Sequence, residues 1–379
     1  MKKSGIVLAL AVSFAAISLW LLDAGEQNPL NSGAAQVAQV FRGKIAKKEC
    51  PQSTHQREFS YEPYYTGPLV DAHIHMPVSS RIVQMVAKKL GNAEFNLSVF
   101  DQTLTKDRFA CLFTEGGVRQ LYGLFLTTRY SLGAEIQTIR QFQKNYPGLV
   151  VASFMPVPVP SLRVATKDFR ETLDKNPGLF RGIGELKLFD NSSIDNPYFT
   201  ELYQLADAYG LIIMIHPHYQ DKETMKKILK QYPRVTFLLH GGDDPRGPSG
   251  DRSDETEFIA DIIKNYPNAY YSLGPIQGLH GSKREHTERL PEKTEILPHL
   301  HSVFESELKK AVSDWKALIE RYPERFMWET DRHRPQWVFD EDVGRLLEEF
   351  ARSFIGKLAP EVQEGFAYKN AERLFAQSE

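Results

Sequence analysis

The chain has 379 residues, 42% of them hydrophobic and 25% charged, enough for a large, conventional globular core. Its 46 Lys and Arg nearly balance 48 Asp and Glu, giving a formal net charge of −2. No basic stripe or nucleic-acid motif stands out, which argues against nucleic acid as a partner and leaves a small molecule as the expected substrate.

The first segment departs from globular patterning. Lys2 and Lys3 precede an apolar run over 6–22, interrupted only by small residues. A short basic stretch followed by an apolar one reads as an export signal, with cleavage after Ala24, or as an uncleaved membrane anchor. An exported protein, periplasmic or secreted, is expected, and it stays membrane-anchored if 1–24 is retained. Residues 25–65 read as a tether and irregular lead-in, and 66–379 as the catalytic domain. Cys50 and Cys111, the two cysteines, are in reach of a disulfide only if their geometry allows one.

From residue 69 onward, short apolar strands alternate with amphipathic helices. The strands are read at 69–75, 118–126, 149–157, 180–189, 211–216, 235–240, 269–273 and 325–331. Helical periodicity covers 161–175, 198–209, 222–232, 255–266 and 304–322. Four of the helices end in Tyr-Pro, at Tyr146, Tyr232, Tyr266 and Tyr322, because proline cannot continue a helix. Eight strands alternating with helices predict an α/β protein, a (β/α)8 TIM barrel, compatible with a homo-oligomer. No G-x-G-x-x-G follows a strand, which counts against a dinucleotide fold. Two longer stretches, 77–105 and 274–301, are read as loops on the C-terminal face. The second carries His280, His286, His299 and His301.

Polar residues appear where these apolar strands stop. His73 and His75 close the first, and alternate residues on a strand point the same way, so both project inward. Asp71 shares their face by the same count, as support or as plain packing. His216, His240 and Asp331 close the fifth, sixth and eighth strands. Four histidines and a carboxylate at strand ends would be costly to bury alone and are explained by one shared metal ion. Such ligands suit Zn²⁺, with Mn²⁺ or Fe²⁺ as alternatives. On zinc, a bound water falls to a pKa of about 7 and becomes a nucleophile.

The strings VDAHIHMP (70–77), GIGELKL (182–188), IHPH (215–218), HGG (240–242) and ETD (329–331) together resemble the amidohydrolase superfamily. The closer likeness is to its "amidohydrolase 2" branch, which includes aminocarboxymuconate-semialdehyde decarboxylase-like enzymes. The ending YKNAERLF (368–375) is similar to that branch's C-terminal helix. The resemblance implies His73, His75, His216 and Asp331 as ligands of one divalent ion, with Asp331 also taking a proton from water. It implies His240 as the residue that faces substrate and stabilises the developing oxyanion.

The resemblance further implies a metal-dependent hydrolase of an amide, ester or lactone-type bond. A non-oxidative decarboxylase of a carboxylated aromatic or enol-like substrate, and a non-catalytic metal-binding barrel, are the alternatives. Five more residues are candidate substrate contacts. Arg129 and Tyr130 follow the second strand, where Arg129 either grips a carboxylate or is simply on the surface. Glu185 and Lys187 share a face of the fourth strand, as a substrate-positioning pair, a structural pair, or with Lys187 bridging two ions. His218 lies just past His216 in the loop. Glu329 stands where the branch usually has glycine; it either points inward below the site, sharing a face with Asp331, or packs with an Arg or Lys of the barrel, the reading favoured here.

Overall fold

A computed structural model describes residues 57–78, 99–101, 103–157, 162–187, 193–216, 221–240, 253–274, 292–332 and 339–376. The 6–22 segment, Cys50, His218, His280 and His286 lie outside them.

Eight strands form one sheet in sequence order, every neighbouring pair parallel. They are β1 (Leu69–His75), β2 (Val118–Thr127), β3 (Val150–Pro156), β4 (Gly182–Leu186), β5 (Ile212–Ile215), β6 (Thr236–His240), β7 (Ala269–Leu273) and β8 (Phe326–Trp328). The seam between β8 and β1 closes through two backbone hydrogen bonds. Asp331 N–H donates to the His73 carbonyl at 3.0 Å, and His75 N–H donates to the Arg332 carbonyl at 2.9 Å. The result is the expected (β/α)8 barrel.

Between and after the strands lie α1 (Lys106–Glu115), α2 (Leu132–Asn145), α3 (Thr166–Lys175), α4 (Pro197–Tyr209), α5 (Lys222–Gln231), α6 (Ser253–Asn265), α7 (Lys293–Arg321) and α8 (Glu341–Gly356). All four Tyr-Pro stops hold, because each helix ends on the residue before its tyrosine. The tyrosine carbonyl then accepts from the N–H three residues on: Leu149, Val235, Ala269 and Arg325, each at 3.0–3.1 Å. Proline presets the turn, and the same four-residue device feeds four strands.

One boundary is corrected. Helix α7 begins at Lys293 rather than 304, so His299 and His301 are helical residues and not part of a loop. Pro298 sits early in this helix, where its missing N–H costs only one hydrogen bond. His301 Nε2 pairs with Glu58 Oε2 at 3.1 Å on the outer surface.

Buried side chains fall into two layers. Leu69, Ile74, Phe125, Ile183, Leu186, Ile213, Ile215, Phe237, Leu239 and Phe326 pack outward against the helices. Val70, Ala72, Tyr122, Leu124, Ile212, Met214, Leu238 and Met327 fill the barrel interior. A C-terminal segment, α9 (Pro360–Glu364), a π turn (Gly365–Lys369) and α10 (Asn370–Phe375), closes the interior at the end where β8 begins. Phe375 stacks on Tyr122 with centroids 4.6 Å apart, and Asn370 Nδ2 donates to the carbonyls of Pro323 and Phe326, both at 2.7 Å.

The division into layers shows where alternation fails. In β1, Leu69 and Ile74 face out while Val70 and Ala72 face in, an odd spacing. Three steps along β1, from Asp71 to Ile74, oppose two along β2, from Leu121 to Gly123. The extra residue is a bulge. It turns Asp71 outward while His73 and His75 face in, so Asp71 does not share their face. An identical mismatch lies between Ile183 and Leu186 against Ile213 and Ile215, which turns Glu185 inward.

Candidate metal centre at the C-terminal mouth of the barrel

Polar side chains from five strands meet at the C-terminal mouth, where barrel enzymes keep their chemistry. His73 Nε2, His75 Nε2 and Asp331 Oδ1 form a triangle with sides of 3.1, 3.2 and 3.4 Å. His240 stands edge-on to His73 with ring centroids 4.1 Å apart, and its Nε2 lies 3.8 Å from Asp331 Oδ2. His216 joins through Glu185, whose Oε1 is 2.9 Å from His216 Nδ1 and 3.5 Å from His240 Nε2. The other oxygen, Oε2, is 3.5 Å from His75 Nε2. Asp331 adopts a left-handed conformation, φ 49°, an unusual state for a residue with a side chain that costs on the order of 1–3 kcal/mol. It aims the carboxylate into the triangle.

Three overlapping groups each bring their ligand atoms within 4.8 Å of one another: His73, His240 and Asp331; His73, His75 and Glu185; Glu185, His216 and His240. Two observations fit a divalent cation. Ligand atoms at about 2.0–2.1 Å from a tetrahedral ion stand about 3.3 Å apart, close to the sides of the triangle. The charge balance agrees. Three carboxylates, Glu185, Glu329 and Asp331, face one ammonium, Lys187, among the described residues, an excess of two negative charges that a divalent ion, or protons on His75 and His240, would neutralise.

The local field favours positive charge. Burial opposes protonation of His75, but Asp331 and Glu185 outweigh it and raise its pKa to about 9. His240 is pushed well above the ordinary imidazole range, burial being overcome by Glu329 and Asp331. His216 goes the other way, to about 4, through burial and the neighbouring Lys187. Glu185 is held well below the usual carboxylate range, with Lys187 and three histidines overriding its burial.

The remaining expected residues divide. Glu185 and Lys187 do meet the cluster: Lys187 Nζ lies 3.3 Å from His216 Nδ1 and 3.9 Å from Glu185 Oε1. Arg129 sits 5.2 Å over the Tyr130 ring at the exposed end of β2, and neither has a hydrogen bond or ion pair to the cluster among the described residues. Glu329 is buried and points inward to His240 and His73, and does not pack with an Arg or Lys among the described residues, which corrects the favoured reading. Period-two spacing from Asp331 carried the inward direction, whereas the partners depended on strands distant in sequence.

Such a fold and cluster define a (β/α)8 barrel with a histidine–carboxylate centre at its C-terminal mouth. Residues 139–377 match the amidohydrolase family, more than half of the chain, and the chain belongs to that family. The match begins within α2, so the strand bearing His73 and His75 lies upstream of it. Among curated proteins no relative matches the chain. Among solved structures, it is similar to an amidohydrolase from Burkholderia multivorans with bound HEPES. That likeness has 12% identity, 82% of this chain and 100% of the other covered, and a TM-score of 0.53. A zinc-bound form of an amidohydrolase from the same organism gives 14%, 82%, 100% and 0.51. A probable 2-pyrone-4,6-dicarboxylic acid hydrolase from Acinetobacter baumannii gives 12%, 81%, 98% and 0.52. At these identities the likeness is one of fold.

Proposed function

We propose that this protein is a metal-dependent hydrolase that cleaves an amide, ester or lactone-type bond of a small molecule. The observation that carries the reading is the convergence of His73, His75 and Asp331 within 3.4 Å of one another, beside His216 and His240. His73, His75, His216 and Asp331 would hold one divalent ion, with zinc the leading candidate and Glu185 close enough to assist. When bound, the ion supplies Lewis acidity, polarising the scissile carbonyl and easing deprotonation of water.

The chain's own groups complete the chemistry. Asp331 combines partial exposure with a carboxylate aimed into the cluster, so Oδ2 can accept the proton of attacking water. His240, favoured in its protonated form, donates from Nε2 to the oxyanion as it develops. Asp331 then returns its proton to the leaving group. Lys187, the ammonium at the rim, can hold an anionic substituent of the substrate.

Metal content by plasma mass spectrometry, on wild type beside His73→Ala and Asp331→Asn, tests the centre. About one divalent ion in wild type, lost in His73→Ala, is expected. No ion, and none taken up on reconstitution, would overturn it. A following screen of esters, lactones, amides and carboxylated aromatics tests the reaction: release of CO₂ without hydrolysis would replace the hydrolase by the decarboxylase.

A further inference from the structure

We propose that Glu329 is a positioning residue, a two-pronged acceptor that keeps an N–H at Nδ1 of both His73 and His240 and so links the ion-holding imidazole to the proton-donating one. The proposal rests on the functional reading above for the roles of the two rings, but not for the lock itself.

Each oxygen of the Glu329 carboxylate has its own ring. Oε1 is 2.7 Å from His240 Nδ1, and Oε2 is 3.4 Å from His73 Nδ1. His73 Nδ1 and Glu329 Oε2 are both buried, stand 3.4 Å apart and make no hydrogen bond among the described residues, so a small shift of the ring or the carboxylate closes the second bond. The side chain is 2% exposed, so water does not compete. An ionised carboxylate only accepts, which requires an N–H at Nδ1 of both rings. The lone pair of His73 then lies on Nε2, the atom 3.1 Å from His75 Nε2 and 3.4 Å from Asp331 Oδ1. His240 likewise turns Nε2 toward the cluster, 3.5 Å from Glu185 and 3.8 Å from Asp331.

The segment that directly follows β8 carries both halves of the device. Glu329 and Asp331 lie two residues apart and both face inward, so Glu329 fixes the rings from below while Asp331 meets them from the side. Histidines that hold metals are oriented by an acceptor on the other ring nitrogen. Here one acceptor serves two rings that stand edge-on, 4.1 Å apart, so loss of one bond disturbs the other.

Glu329→Gln is the discriminating change, because it keeps the shape and removes one acceptor. The amide oxygen can serve one ring, but the NH₂ group then faces the N–H of the second. That ring must give up its proton at Nδ1; in His73 the proton then sits on Nε2, where a metal ligand needs its lone pair. Long-range ¹H–¹⁵N spectra of ¹⁵N-histidine-labelled full-length protein should show Nδ1 protonated on both rings in wild type, assigned with single His variants. One ring should switch in Glu329→Gln, and Glu329→Asp, which keeps two acceptors, should restore it. In chelator competition, zinc affinity should fall about 10–100-fold in Glu329→Gln and recover in part in Glu329→Asp. An Nδ1 without its proton on either ring in wild type would overturn the proposal without any variant. So would unchanged tautomers and zinc affinity in Glu329→Gln. A tautomer switch in a wild-type background that binds no zinc would keep the lock and discard the hydrolase.

Discussion

The carboxylate of Asp71 on β1 clamps Thr330 at the end of β8, accepting from its backbone N–H at 3.0 Å and from its hydroxyl. The same Oδ1 accepts from His73 N–H at 3.1 Å. One outward-facing side chain thus fixes the bulge that turns His73 inward and the strand end that presents Asp331.

Asp71→Ala would leave two buried N–H groups without an acceptor, each costing about 1–3 kcal/mol. A total loss of about 2–5 kcal/mol is expected in urea unfolding. Asp71→Asn retains an oxygen for both groups and should lose roughly 1 kcal/mol. If the two variants lose the same amount, the clamp is not what stabilises this seam.

Gly184 is the second place where backbone geometry sets the site. Its φ is 138°, and a Cβ there would collide with the Met214 carbonyl. Gly184→Ala should therefore destabilise the protein by about 3 kcal/mol or more and displace the adjoining Glu185. A variant with wild-type Tm and wild-type zinc affinity would contradict the inward bulge of β4.

Metal removal gives a separate readout through stability. An ion that binds only the folded chain contributes about 2.7 kcal/mol at one hundred times its Kd. Dialysis against a chelator should lower the Tm of wild type and added zinc should restore it. His73→Ala should be insensitive to both treatments. A Tm that ignores the chelator in a metal-loaded wild type would count against ligands drawn from several strands.

Glu348 on α8 should make stability fall as pH rises. Burial pushes its carboxyl up to about 7, against the pull of Arg332 and Arg352. The native state therefore holds a proton that the unfolded chain has released above its ordinary 4.5. This group's contribution is full below that value and is lost as pH rises through 7. Glu348→Gln cannot titrate, so the stability of wild type relative to the variant should drop across this window, by at most about 1.4 kcal/mol per pH unit. Parallel pH profiles for the two proteins would show Glu348 ionised in the fold.

Much of the architecture was legible before folding. Apolar runs, helical periodicity and Tyr-Pro stops depend on neighbours within a few residues, so eight strands and most helices could be read locally. The start of α7 could not, since Pro298 and a charged approach mimic a loop. Strict alternation also oriented His216, His240, Glu329 and Asp331 correctly, because β5, β6 and β8 show no register shift among the described pairs.

What the chain determined by itself was therefore composition at strand ends: which imidazoles and carboxylates would reach the mouth of the barrel. Only the tertiary structure decided how they pair. The bulge in β1 depends on hydrogen bonds to the neighbouring strand and turns Asp71 outward, against simple alternation, whereas Glu185 faces inward as its spacing from Lys187 indicates. The partners of Glu329 come from β1 and β6, 256 and 89 residues away in sequence. No local pattern encodes such distances, because barrel closure, not chain proximity, brings those side chains together.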